Sequence, residues 1–369
     1  MDIFFNTNPE FTRWMVSSGA LREPFVVIDV GVLGGENPRW HFLGDHLVVH
    51  GFDAIREGVD KLTARNANAS NKRYHWLAIG HEDGEREFFF KPSNPTNSSF
   101  YRVPDPELQS RIVPMRRLDT LLEEGVIPGA DFLKVDVEGF EGSVLLGASK
   151  LLASGVLGVE SETNFSTSPT YPKTHFGMIQ EVLLQQGMFV LDINFNRVPR
   201  AAYQQARKHR NLPQMPSEGC GKPATLNVLF CRDLTAERDG SLYYPQVPPP
   251  PSIDQILKAM SIYELHGLND IAVDTAVKFS AELGRRLDVD HAVDLLCRRS
   301  NLVQIESEAV DESIWTPEQK YAALKQRMAS LERDRDRLAA QVSQMLGSTS
   351  WRMTAPLRSI VDRFRQAMR

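Results

Sequence analysis

Residues 131–148 read DFLKVDVEGFEGSVLLGA. Leu133, Val135 and Val137 alternate with Lys134, Asp136 and Glu138, the period of a strand. Beyond Gly139, the residues Phe140, Val144, Ala148, Leu151 and Leu152 fall on one face at helical spacing. A strand therefore runs into a helix here. Two carboxylates and an ammonium in so short a buried strand are costly to desolvate unless they are paired or used. Alternation places Lys134, Asp136 and Glu138 on one side while the strand stays regular, so that Lys134 offsets the Asp136 charge. A purely structural pair is the competing reading, since ion pairs also perturb titration away from functional sites.

Other stretches repeat the strand signal. They are PFVVIDVG (24–31), HLVVHGFD (46–53), YHWLAIG (74–80), VLGVESET (156–163), MFVLDINFN (188–196) and TLNVLFCRD (225–233), with EREFFFKP (85–92) and RIVPMRRL (111–118) as further extended pieces. FGMIQEVLLQQG (176–187) reads as a helix stopped by Gly187. Strands alternating with helices predict an α/β fold with a doubly wound, mostly parallel sheet. The last two strands, with little helix between them, predict an antiparallel hairpin at one edge.

The chain of 369 residues is too long for one ordinary domain. YYPQVPPPPS (243–252) is a stiff proline spacer. It divides the chain into 1–242, carrying the sheet, and a helical region over 253–310. Tyr321, Leu324, Met328, Leu331, Leu338, Val342 and Met345 then follow a 3/4 spacing broken only at Arg335, which predicts a coiled coil over 311–346 and self-association. From Pro356 the tail (347–369) places Leu357, Ile360, Val361, Phe364 and Met368 on one helix face with four arginines elsewhere. Such a basic amphipathic helix suits a membrane surface or a partner protein. Apolar content of 42% and a net charge of −5 fit a soluble protein that does not bind nucleic acid. Three scattered cysteines, Cys220, Cys231 and Cys297, make no metal or disulfide framework and fit a reducing cytoplasm. No signal peptide or membrane span is evident.

In an open α/β sheet, ligands bind beyond the carboxyl ends of the strands. The first strand ends VIDVGVLGG, with Asp29 before the turn Gly31–Gly35. The second ends in Asp53, 22 residues after Gly31, where a carboxylate can accept hydrogen bonds from a ribose diol. Leu33 replaces the second glycine of a dinucleotide loop, and an acid before the turn suits an ammonium better than a diphosphate. S-adenosylmethionine carries both an ammonium and a ribose diol. A nicotinamide oxidoreductase is disfavoured by the glycine order.

VIDVGVLGGE, GFDAI, LAIGHEDGEREFF, RRLDTLL and above all KVDVEGFEGSVLLGA resemble the FkbM-type methyltransferases. These are Rossmann-like class I enzymes that depend on S-adenosylmethionine and mostly methylate oxygen. The resemblance covers roughly residues 20–235. It implies Asp29, Gly31 and Gly35 as the cofactor loop, Asp53 as the ribose acid, and Ala78 and Ile79 along the adenine. The chain departs from the family at Val32-Leu33, where Ala-Asn is usual. Methyl transfer is an in-line displacement that needs alignment and, for a hydroxyl acceptor, a base or a metal. Asp136 and Glu138 end the fourth strand; Glu160, Glu162 and Asn164 end the fifth. Asp136 is read as orienting the acceptor, with Glu162 or His175 taking the proton. Mg²⁺ held by Asp136, Glu162 and Asn164 is the less favoured version. His75 and His81 are weaker bases. Asn97, Ser98 and Ser99 suit a lid, and Tyr171 and Phe176 an acceptor wall.

SWRMTAPLR in the tail resembles a motif that follows bacterial glycosyltransferases. The expected acceptor is accordingly a glycan or related metabolite, and the expected partners are glycan-assembly enzymes at the inner membrane surface. The rival to an enzyme is a scaffold with a degenerate cofactor fold.

Overall fold

The computed structural model describes residues 5–103, 105–165, 174–210, 222–235, 250–298 and 302–303. Most of the proline spacer, the coiled-coil stretch 311–346, the tail, Tyr171 and Cys220 lie outside them.

Seven strands form the main sheet. They are β1 (Phe25–Val30), β2 (Leu47–Asp53), β3 (Lys72–Trp76), β4 (Phe132–Val135), β5 (Gly158–Asn164), β6 (Phe189–Val198) and β7 (Lys222–Cys231), in the order β6-β7-β5-β4-β1-β2-β3. All neighbours run parallel except β7, which is antiparallel to β5 and β6. All six residues of β1 are buried, as a central strand covered on both faces requires. The hairpin expected at one edge is present, although helix Ala201–His209 lies between its strands. No helix among the described residues is long and apolar enough to cross a membrane.

Three expectations need correction. First, the lid expected at Asn97, Ser98 and Ser99 lies in a strand of the same sheet as residues 85–92 and 111–118, which are extended as expected. They fall in Gly84–Lys91 and Gln109–Arg116 of a second, four-stranded sheet with Ala78–Ile79 and Asn94–Ser99. The stretch holding Asn97, Ser98 and Ser99 is therefore an edge strand, where Pro95 is tolerated, and not a lid loop.

Second, the helix expected over 140–152 is two short ones, Glu141–Leu146 and Ser149–Ala153. They break at Gly147, where a Cβ would stand 2.0 Å from the Gly80 carbonyl oxygen.

Third, the proline spacer does not separate two cores. Helix Ile253–Leu265, capped by Ser252 and Gln255, packs Ile256, Leu257, Met260 and Tyr263 into one cluster with Phe25 and Phe132 of the sheet and Phe11 and Met15 of helix Glu10–Ser17. Lys258 pairs with Asp131 at 3.0 Å. The Glu264 carboxylate accepts from the amides of Phe11 (2.9 Å) and Thr12 (2.7 Å). Helix Glu10–Ser17 begins after a proline with no capping side chain, so Glu264 satisfies donors that would otherwise be orphaned.

Candidate active site

The register of the sheet builds a charged row. Asp29 on β1 stands opposite Lys134 on β4, and Lys134 opposite Glu160 on β5. Lys134 Nζ lies 3.9 Å from Asp29 Oδ1 and 3.2 Å from Asp136 Oδ2. Glu160 has its own cation. Buried Arg39 meets it at 3.1 Å, and the His266 ring contacts Arg39 and lies 3.8 Å from Glu160. Despite burial, Arg39 holds the Glu160 carboxyl down at about 2. Glu160 is thereby a structural acid, and Lys134 serves Asp29 and Asp136.

Asp29 is 1% exposed, and its Oδ1 has no hydrogen-bond partner among the described residues. Burial pushes its carboxyl up to about 7, with Lys134 opposing. An unfolded Asp releases its proton near 3.9. Between these values the folded state holds more protons, so this group's contribution to stability falls as pH rises from about 4 to 7. Asp29→Asn imitates the protonated form. Relative to wild type it should gain stability steadily over that window, as read from urea midpoints at pH 5, 6 and 7; parallel slopes in the two proteins would refute the assignment.

Asp136 and Glu162 form a coupled pair. Burial works against ionisation of both, but Lys134 and a hydrogen bond from Glu162 hold Asp136 below the usual carboxylate range. Burial and the Asp136 charge raise Glu162 well above it. When the pair shares one proton, it favours Glu162 and leaves the negative charge on Asp136. Within the pair Glu162 is the donor toward Asp136.

A cavity of about 300 Å³ joins these groups to the cofactor-loop candidates. Gly31, Gly34, Gly35 and Asp53 line it with the apolar Leu77, Ala78 and Ile79. Lys134, Asp136, Glu138, Glu162 and Asn227 line it as well. Gly31 has φ +92°, and a Cβ there would stand 1.9 Å from the Asp136 carbonyl oxygen, so the turn and the end of β4 approach as only glycine permits. Gly35 (φ +91°) closes the turn by donating to the Val32 carbonyl at 2.7 Å. Asp53 Oδ1 accepts from the Ile55 amide at 2.7 Å, and burial raises its carboxyl to about 6.

β4 ends at Val135, so Glu138 does not continue the alternation. It has φ +55°, the one positive φ outside glycine among the described residues, and its carbonyl accepts from Ser99 Oγ at 2.9 Å. Such strain is held in place by surrounding contacts. One of them is Glu141, whose carboxylate accepts from the amides of Gly139 (2.8 Å) and Val137 (3.2 Å).

The histidines stand elsewhere. His175 is exposed, does not line the cavity, and caps helix Phe176–Gln185 by accepting from the Met178 amide at 3.3 Å. That corrects its expected role as a base. His75 stacks on Phe52, and His81 Nδ1 meets Ser143 Oγ at 2.7 Å. Phe176 packs on Phe165 and Phe230, a core role. Asn164 is absent from the cavity lining. Lys134, at 3.2 Å, pairs with Asp136, the first of the donors expected for Mg²⁺. Among the described residues no cluster of acids, histidines and cysteines suits a metal.

Sequence reasoning missed several residues. Phe88, Ser98 and Phe100 reach the cavity from the second sheet, and Asn227 from β7. Glu36, within the quoted VLGGE, accepts from Tyr74 (2.6 Å) and pairs with Lys72 (2.5 Å), which pins the segment after the glycine turn.

Residues 35–187 match the family profile described as the methyltransferase FkbM domain. Over that stretch, which is less than half of its length, the chain is similar to the FkbM methyltransferase domain. The main sheet has its one antiparallel strand second from the edge. Among solved structures, the chain is similar to methyltransferase FkbM from Methylobacillus flagellatus KT (14% identity, TM-score 0.34), over 59% of this chain and 47% of that one. It therefore spans about half the length of that protein. It is also similar to N-methyltransferase NodS from Bradyrhizobium japonicum WM9 in complex with S-adenosyl-L-homocysteine (10%, 0.28), over 60% and 84%. A third is an rRNA methylase from Streptococcus thermophilus (11%, 0.30), over 61% and 93%. No curated protein matches the chain.

Proposed function

We propose that the FkbM-like domain is an S-adenosylmethionine-dependent O-methyltransferase acting on a hydroxyl of a glycan. The carrying observation is that the glycine turn, Asp53 and the Asp136–Glu162 pair line one cavity. S-adenosylmethionine, when bound, supplies a methyl group activated on a sulfonium. Asp53 accepts from the ribose diol, Gly31 and Gly35 let backbone approach, and Ala78 and Ile79 wall the adenine. Asp29, buried beside the turn with an Oδ1 that has no hydrogen-bond partner among the described residues, suits a ligand that is itself cationic. Asp136 accepts a hydrogen bond from the acceptor hydroxyl and takes its proton as the oxygen loses it. Glu162 donates to Asp136 and keeps it oriented. Lys134 holds the resulting charge in place.

The tail's SWRMTAPLR supports a glycan acceptor and glycan-assembly partners, and the seam over 311–346 supports self-association. Calorimetry with S-adenosylmethionine, S-adenosylhomocysteine and NAD side by side tests the cofactor. Asp53→Ala should weaken S-adenosylhomocysteine binding by about 1.5–3 kcal/mol, the range for hydrogen bonds to a charged group. Unchanged affinity would remove Asp53 from the site, and tighter binding of NAD would overturn the reading. Labelled methyl transfer should persist in EDTA; a rate restored only by Mg²⁺ add-back would reinstate the metal.

A further inference from the structure

The sheet face that carries Asp136 continues beyond the cavity. Glu162 on β5 stands opposite Asn227 on β7, and Asn227 opposite Asn194 on β6. One pair further along, Asn164 stands opposite Thr225, and Asn196 Nδ2 donates to Thr225 Oγ1 at 3.2 Å. The alternating side chains turn the other way: Leu226 and Val228 are buried in the core beneath, opposite Phe195 and Ile193. Asn227 is 8% exposed and still lines the cavity, so the polar row is continuous with the methyl-transfer position.

We propose that Asn227, Asn194 and Asn196, with Thr225, form an outer acceptor subsite for a neutral saccharide of two or more units. The reacting hydroxyl sits at Asp136, and the remaining units run across β5 and β7 to the edge strand β6. This rests on the O-methyltransferase reading above and adds the path and charge class of the acceptor.

Three features carry it. Amides and hydroxyls both donate and accept, which matches sugar hydroxyls, each of which does the same. The row carries no cation: Arg197, the nearest arginine on β6, lies over the Phe195 ring at 4.7 Å. Among the described residues of the row a phosphate or carboxylate would find neutral dipoles, beside the Asp136 charge. From β4 to β6 there are three strand spacings, about 14 Å, which exceeds a single sugar ring. In addition, Asn196 Oδ1 is buried with no partner among the described residues, an acceptor left for a ligand or water to satisfy.

The test uses the full chain and labelled S-adenosylmethionine. The probes are methyl glycosides of glucose, mannose and rhamnose as mono- and trisaccharides, with a trisaccharide ending in glucuronic acid. Wild type should show a higher kcat/KM for a neutral trisaccharide than for its monosaccharide. In Asn194→Ala the loss on the trisaccharide should exceed the loss on the monosaccharide by about 5–10-fold, the worth of one hydrogen bond. Asn196→Ala, at the other position on the edge strand, should behave alike, with thermal midpoints checking the fold of both. Equal losses at both lengths, or a preference for the acidic trisaccharide, would overturn the subsite alone. If S-adenosylhomocysteine binds but no saccharide is methylated, the glycan reading itself falls and the subsite falls with it.

Discussion

Asp136→Asn is expected to lower the rate of methyl transfer by about 10²-fold or more, the lower range for loss of a general base. The substitution is isosteric, so the Gly31 turn that abuts the Asp136 backbone is undisturbed. What is lost is the negative charge that can receive the acceptor's proton. Lys134, 3.2 Å away, would then be left to Asp29, and Glu162 would lose the largest of the charges that oppose its ionisation, with Glu138 and Glu141 remaining. Glu162→Gln should do less harm, because in the resting pair Glu162 is already the protonated partner. Initial rates, circular dichroism and S-adenosylhomocysteine affinity of both variants decide the matter. A wild-type rate in Asp136→Asn would leave the pair purely structural; loss of cofactor affinity in step with rate would make it a binding residue instead.

Truncation after Leu242 is expected to abolish folding, not to release a minimal catalytic domain. The cut removes helix Ile253–Leu265, in which Ile256, Leu257, Met260, Ile262, Tyr263 and Leu265 are each no more than 1% exposed. At about 1.5–3 kcal/mol per buried apolar side chain, the loss is about 9–18 kcal/mol. That equals or exceeds the whole stability of an ordinary domain. It also leaves Asp131 without Lys258. A chain ending after Arg298 should retain a cooperative unfolding transition. If the shorter fragment instead unfolds cooperatively and binds S-adenosylhomocysteine, the shared core is dispensable.

Much of the fold was legible because apolar runs such as FVVIDV and LVVHGFD survive in few other settings than a covered sheet. The site was legible in part because Asp29, Asp53 and Asp136 all end such runs. What alternation cannot supply is which strand lies beside which. Lys134 was assigned to Asp136 from spacing alone; that it also faces Asp29, and that Glu160 is taken by Arg39, follow from register set at long range. Asn227 read as one polar residue between apolar ones, with nothing local to show that Glu162 stands opposite. His175 illustrates another limit, since a histidine before a helix has the same sequence signature whether it caps or catalyses. The proline spacer misled because a stiff linker can just as well deliver a helix back onto the core it leaves.

The Glu264 carboxylate has a consequence for how the chain comes into being. Its hydrogen bond to the Phe11 amide spans 253 residues. A ribosome adds about 5–20 residues per second. The amides that open the first helix therefore wait on the order of ten seconds to a minute for the group that receives them. Over that interval Phe11 and Met15 have no helix to cover them, and the forming sheet exposes Phe25 and Phe132 on the same side. Such long-range closure is slow and leaves apolar surface open to misassociation. The nascent chain leaves that surface uncovered until nearly three hundred residues have emerged.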